Sequence, residues 1–256
     1  MRIGTDPEAF LVTKTGALKA VCGLLDGHDK WNPLQVPDME KGFTFQEDNV
    51  CIEFGVPPAS SSEQFKHHIK AVQKRFLKEY KHLKFSNLSC AVFPDEEMKH
   101  PAAHIFGCEA DYNAWTGKVN KMPNPPVPNL RSAGGHVHIE TSLPIRKVIQ
   151  ACDLFLGVPS VLMDELGSER RVLYGKPGCF RPKPYGGEYR TLSNFWFLNP
   201  DKYGSWVWNG VARALEFVEG GYLLKGNIKT DIIRCINEND KQKAERLVNW
   251  YGLEVV

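Results

Sequence analysis

The sequence predicts an α+β fold, one domain over residues 1–256, on a sheet with an apolar back and a front that holds cations. Three observations lead there. First, four strand-like stretches place polar, chemically capable residues two apart. These are Asp6 and Glu8 in IGTDPEAFLV; Glu47, Asn49, Cys51 and Glu53 in FTFQEDNVCIEF; His136, His138 and Glu140 in GGHVHIE; and Glu188 and Arg190 in GGEYRTLS. Residues i and i+2 of a strand share a face. Second, Val50, Ile52 and Phe54, like Val137 and Ile139, supply the apolar opposite face. Third, a packed core rejects unpaired charge, so a face with this many carboxylates meets water or binds cations.

Each element follows from its local pattern. Residues 2–13 alternate as a strand, with Pro7 marking an edge or a bulge. Residues 17–22 pair back after the turn at Thr15-Gly16. Residues 23–42, rich in Gly, Pro, Asp and Asn, predict an irregular excursion, and 43–55 the clearest strand. Phe65, Ile69, Val72, Phe76, Tyr80 and Leu83 step by three or four and predict a helix over 62–83. Ser60, Ser61 and Ser62 offer its N-cap. A strand is expected at 85–93, then a long structureless stretch over 94–132, a length that suits a functional loop or an insertion. Residues 133–141 predict a strand. A helix follows at 144–166, capped by Ser142 and interrupted at Pro159. The Gly/Pro content of 170–187 predicts a loop, 188–193 a strand. The remainder, 201–250, is helical, with Leu215, Val218 and Tyr222 on one face and a break at Gly220-Gly221.

Composition narrows the function. Lys and Arg number 32 and Asp and Glu 30, a balance that gives no support to nucleic-acid binding. Seven scattered cysteines without a CxxC pair read as reduced thiols. The N-terminus lacks an apolar signal core, and no run approaches the roughly 20 apolar residues of a membrane span. A soluble cytoplasmic protein without a membrane partner is the expectation.

The chemistry-bearing residues fall into two groups. Asp6, Glu8, Glu47, Glu53 and Glu188 are hard oxygen donors, suited to Mg²⁺ or Mn²⁺ rather than Zn²⁺. His136 and His138 form an HxH pair that reads either as metal ligands or as ordinary strand histidines. Gly134-Gly135 before them marks a close backbone approach or a bulge. The second group is basic: Arg131, Arg170, Arg171, Lys176, Arg181, Lys183 and Arg190. Arginines beside a metal-binding cluster suggest a phosphate-bearing substrate, although some must balance the carboxylates. No GxSxG, P-loop, GxGxxG or HExxH is present.

In this order, the acidic-x-acidic strand, the acidic strand ending in EF with prolines beyond, GGHVHIE, and RxxYG…R…EYRTLS resemble the phage-type COOH–NH2 ligase family (type 2), or amidoligases. These are carboxylate–amine ligases of the glutamine synthetase superfamily. The resemblance runs from Gly4 to about Trp208. It implies an antiparallel sheet curved around an active-site funnel, with helices packed behind, as in the glutamine synthetase catalytic domain. By analogy with gamma-glutamylcysteine ligase, it implies metal ligation by Asp6, Glu8, Glu53, His136 and Glu188. Gln46 stands where that relative has an acid, so Glu47 or Asp48 takes the role. Arg190 would act on the transferring phosphoryl group, with Arg181 beside it. Arg171, Lys176, Arg181, His138 and Arg190 form the implied nucleotide-binding set. The implied reaction uses ATP and Mg²⁺: the γ-phosphoryl passes to a carboxylate, and an amine attacks the acyl phosphate. Loop 174–187 would close over the phosphates, and 94–132 would select the acceptor.

The substrates are read as small-molecule or peptide carboxylates and amines, and the compartment as cytoplasm, the host's if the chain is phage-encoded. Three other readings stand beside this one: a metal-dependent hydrolase using the HxH pair, a phosphotransferase on the same scaffold, and a non-catalytic binding module.

Overall fold

Pro7 cannot donate to a ladder, and the first expected strand breaks there into three pieces. In the computed structural model, which describes residues 1–105, 111–122 and 124–256, these are β1 (Ile3–Thr5), β2 (Glu8–Ala9) and β3 (Leu11–Thr13). The chain turns at Thr15-Gly16 into β4 (Leu18–Lys19), which pairs with β3 as expected. The excursion 23–42 is irregular apart from β5 (Leu34–Gln35).

The stretch expected as one strand over 43–55 is a hairpin of β6 (Thr44–Asp48) and β7 (Cys51–Ala59). Asn49 opens its two-residue turn with φ of 57°, a conformation Asn tolerates better than most residues. Gln46 therefore faces Glu53, and Asp48 faces Cys51.

Helix α1 (Ser62–Glu79) begins as predicted, with the Ser61 hydroxyl accepting the Gln64 N–H, and buries Phe65, Ile69, Val72 and Phe76. It ends before Leu83, which belongs to β8 (Leu83–Phe85). A separate β9 (Cys90–Val92) follows, so 85–93 is not one strand. The stretch 94–132 is not structureless. It holds two 3₁₀ turns (Asp95–Met98 and Pro101–His104), β10 (Tyr112–Asn113) and β11 (Leu130–Ser132). The parts of that stretch at 106–110, with Cys108, and at 123 lie outside the described residues.

Next come β12 (Val137–Glu140), α2 (Ile145–Cys152), a π-helical turn (Asp153–Gly157) and α3 (Val158–Met163). Ser142 caps nothing; Pro144 holds the cap position. Pro159 sits in the first turn of α3, where its missing N–H is harmless, and the wider π turn lies just before it. The segment expected as a loop over 170–187 contains α4 (Ser168–Leu173), β13 (Cys179–Lys183) and the start of β14 (Gly186–Tyr189). Much of the expected closing loop is thus part of the sheet. The C-terminal third is α5 (Phe195–Leu198), α6 (Pro200–Glu219), α7 (Gly226–Glu238) and α8 (Lys241–Tyr251). The break at Gly220-Gly221 is present. Val218 is buried, but Tyr222 is exposed.

Among the described residues the main sheet runs β10-β13-β14-β12-β1-β7-β6-β5, with β2 also paired to β7 and its strand pairs antiparallel. Its back buries Ile3, Phe45, Ile52, Phe54, Val137, Ile139 and Tyr189 completely. Helices α1 and α2 cover that back, and α6 packs against both. No helix among the described residues is long and apolar enough to cross a membrane.

A carboxylate penetrates the core behind the sheet. The fully buried Asp153, in the π turn, accepts hydrogen bonds from Trp115 Nε1 (2.6 Å), Tyr189 Oη (2.9 Å) and Thr191 Oγ1 (3.1 Å). Burial nonetheless pushes its carboxyl up to about 7.

Candidate functional site

Across the front of the sheet, the register sets Arg181 opposite Glu188, Glu188 opposite His138, and His138 opposite Gly4. Directly opposed residues share a face. Asp6, just past β1, brings Oδ1 to 2.9 Å from His138 Nε2. Asp6, His138 and Glu188 each present a ligand atom, all within 4.8 Å of one another. A second triad forms beside the first. Glu8 is opposite Glu53 across β2 and β7, and the 48–51 hairpin returns Asp48 to the same face. Glu8, Asp48 and Glu53 also lie within 4.8 Å of one another.

His136 stands between the triads. Its Nδ1 is 3.5 Å from Asp6 and 3.6 Å from Glu188, and its Nε2 is 3.9 Å from Glu8. Arg190 Nη1 lies 3.2 Å from the same Nδ1. The HxH residues thus have different company: His138 joins a triad, and His136 packs beside a guanidinium. Glu8, Asp48 and Glu53 of the second triad and Asp6 of the first line a cavity of about 570 Å³, together with His136, Arg181, Lys183 and Arg190.

The electrostatics of the triads differ. In the first, burial would raise Asp6, but His138 and His136 outweigh it and hold the carboxyl well below its usual range. Burial and Asp6 likewise push Glu188 up, yet Arg190 and the histidines bring it down to about 2. His138 is raised, because Asp6 overcomes its burial. In the second triad burial dominates. With Asp48 adding repulsion, Glu8 rises to about 7, and Glu53 lies well above the carboxylate range. Asp48 is raised too. Burial and Arg190 lower His136 to about 4, so it is neutral at pH 7.

Glu188 concentrates the basic residues. Arg190 pairs with its Oε1, Arg181 lies 3.8 Å from the same oxygen, and Lys183 Nζ lies 3.0 Å from Oε2. Arg190, itself buried, also reaches Asp111 at 3.7 Å. Lys176 lines a small adjoining cavity with Tyr174, Arg181 and Arg190.

The fold also places the remaining candidates. Glu47 is absent from the cluster: its carboxylate accepts the Gly23 and Leu25 amide N–H groups at 2.9 and 2.7 Å. Asp48 takes that place, while the Gln46 side chain hydrogen-bonds Glu53. Arg171 points away from the site, to Asn239, Ser160 (3.2 Å) and Asp164 (3.9 Å). The neighbouring Arg170, which the sequence ranked no higher than the other basic residues, faces the cavity side instead. His138, expected to hold nucleotide, is grouped with the metal-capable acids. Arg131 is occupied by carbonyls of Ala103, Pro128 and Leu130 and ties those segments together.

The donor set fits a hard divalent cation. Asp6 Oδ1, His138 Nε2 and Glu188 Oε2 are buried without a hydrogen bond of good geometry. Their charges are met by close contacts instead, Asp6 with His138 at 2.9 Å and Glu188 Oε2 with Lys183 Nζ at 3.0 Å, contacts that a cation could replace. Five carboxylates and one imidazole suit Mg²⁺ or Mn²⁺.

No curated protein matches the chain. Residues 125–205 match a family model. The matched segment carries GGHVHIE and EYRTLS, and so His136, His138, Arg170, Arg181, Glu188 and Arg190. It does not include Asp6, Glu8, Asp48 or Glu53. The family is described as Phage phiEco32-like COOH.NH2 ligase-type 2, and the segment's match to it agrees with the resemblance read from the sequence.

Proposed function

We propose that this protein is an ATP- and Mg²⁺-dependent carboxylate–amine ligase that forms an amide bond through an acyl-phosphate intermediate. The observation that carries this reading is a pair of adjacent cation-ligand triads, one lining a cavity with Asp6, Arg181, Lys183 and Arg190, the other holding those three cations through Glu188. The name of the matched family points the same way.

The reaction brings a carboxylate to a triphosphate, an assembly of negative charges. When bound, Mg²⁺ supplies charge neutralisation at phosphate oxygens. Asp6, His138 and Glu188 would hold one ion, and Glu8, Asp48 and Glu53 another. Arg190 and Arg181 would meet the transferring phosphoryl oxygens, with preorganised donors whose charge is not spread into water. Glu188 orients both guanidiniums, so it serves the cations as well as the metal. Asn120, Lys121 and Met122 line the small cavity at Arg190, which supports assigning acceptor selection to 94–132.

The test is the thermal stability of the purified protein with a non-hydrolysable ATP analogue, with and without Mg²⁺. At about one hundred times its dissociation constant, a ligand adds roughly 2.7 kcal/mol. A Mg²⁺-dependent shift is expected in the wild type and lost in Glu53→Ala and Glu188→Ala. A shift that survives both substitutions, or none with any nucleotide, would overturn the proposal. Stabilisation by Zn²⁺ alone would favour the hydrolase.

A further inference from the structure

We infer that Arg170 forms the floor of a subsite that binds a carboxylate, and that this carboxylate belongs to the substrate acid. The second half rests on the ligase reading; the anion subsite does not.

Arg170 lies on α4 with 2% of its surface exposed. Its Nε is buried and has no hydrogen-bond partner. Among the described residues, Nη1 and Nη2 reach only the carbonyls of Arg190 and Thr191, at 3.2–3.4 Å. The side chain makes no ion pair with any described residue. A buried charge so poorly compensated is unfavourable unless something else completes it. The acid whose charge it feels most is Glu8, but the two form no ion pair, and Glu8 Oε2 accepts the Gly134 N–H at 2.6 Å.

The backbone is shaped around this guanidinium. A Cβ at Gly134 would come within 2.7 Å of Arg170 Nη2, and one at Gly175 within 2.1 Å of Nη1. Gly175 also has φ of +75°, which few side chains tolerate. Two glycines from separate segments therefore make room for one planar cation.

Arg170 borders a cavity of about 40 Å³, with Arg190, Tyr174 and Cys51 in the wall. Glu8, Asp48 and His136 line both this cavity and the large one, so the small space adjoins the second triad. The planar fork of Arg matches a carboxylate.

The probe is acetate, titrated calorimetrically into the full-length protein without nucleotide, at constant ionic strength. Saturable binding is expected in the wild type, with inorganic phosphate binding more weakly. Affinity should fall at least tenfold in Arg170→Met and in Arg170→Lys, which keeps the charge but loses the fork. Circular dichroism checks that each variant is folded. If neither folds, wild-type crystals grown with acetate decide: density for it should lie beside Arg170 Nε. No saturable binding, equal binding in folded variants, Arg170-dependent preference for phosphate, or no acetate density beside Arg170 would each overturn the subsite. Because nucleotide is absent, a failed ATP experiment leaves these outcomes unchanged. Acetate binding without ATP-dependent ligation would remove the substrate assignment and keep the subsite.

Discussion

Glu47 and Asp48 are neighbours in the chain, yet their carboxylates serve different parts of the protein. Glu47 holds the amides of Gly23 and Leu25, and Asp48 completes the triad with Glu8 and Glu53. Their substitutions should therefore separate. Glu47→Ala should cost about 1–3 kcal/mol, the usual loss when partly buried donors lose a charged acceptor, and keep the Mg²⁺-dependent thermal shift. Asp48→Asn should keep stability and lose the shift. Urea unfolding and the thermal shift together check the pair.

The pH dependence follows from the second triad. Glu8 rises from its ordinary 4.5 to about 7 in the folded protein, through burial and then Asp48, and Asp153 also reaches about 7. The folded state then binds more protons than the unfolded one, so stability falls as pH rises through that window. The cation-free protein should lose stability between about pH 5 and 7, and Mn²⁺ or Mg²⁺ should restore it. Cation affinity should rise over the same range, with proton release visible in calorimetry across buffers. A cation affinity flat between pH 6 and 8 would contradict this.

Arg171 is structural. Arg171→Ala removes the partner of the buried Asp164 and a bond to α7 through Asn239. The expected loss is about 3–5 kcal/mol, typical of breaking a buried pair. At low temperature, the folded fraction should bind cation and nucleotide as wild type does. A loss of binding in folded Arg171→Ala would return it to the site.

Asp153→Asn exchanges an all-acceptor carboxylate for a group with its own N–H donors. Trp115, Tyr189 and Thr191 all donate to this side chain; with the amide oxygen on Trp115, both hydroxyls must reverse and accept from the Asn N–H groups, and the charge-assisted bonds are lost. Destabilisation of about 1–3 kcal/mol is expected, measured by denaturant unfolding.

Much of the site was legible because strands alternate with period two. GGHVHIE and GGEYRTLS need only that rule, and their acids, histidines and arginine do meet on one face. The rule failed at Asp48-Asn49. Across a two-residue turn the facing residues are three apart, so the alternation changes parity. Glu47 leaves the face that Glu53 occupies, and Asp48 enters it. Asn49, a residue suited to positive φ, was the available signal. The basic residues were harder. On a helix of 3.6 residues per turn, neighbours diverge by about 100°, so only one of Arg170 and Arg171 could face the cavity. Reading 170–187 as a loop concealed that. Pro182 encouraged the loop reading, but β10 pairs β13 only at Cys179 and Phe180, and the proline lies beyond it.

The buried Asp153 bears on how this sheet avoids error. Strand β14 and the residues after it alternate between cavity and core: Glu188 and Arg190 forward, Tyr189 and Thr191 back. A slip of one position would exchange those sets, because side chains change sides with every residue. Apolar packing alone discriminates poorly here, since Tyr and Thr are themselves partly polar. A single acceptor in the π turn, reachable only when Tyr189 and Thr191 face backward together, singles out the correct alignment. The frame that aims Glu188 and Arg190 is thus proofread from the far side of the sheet, by a residue that never touches the cavity.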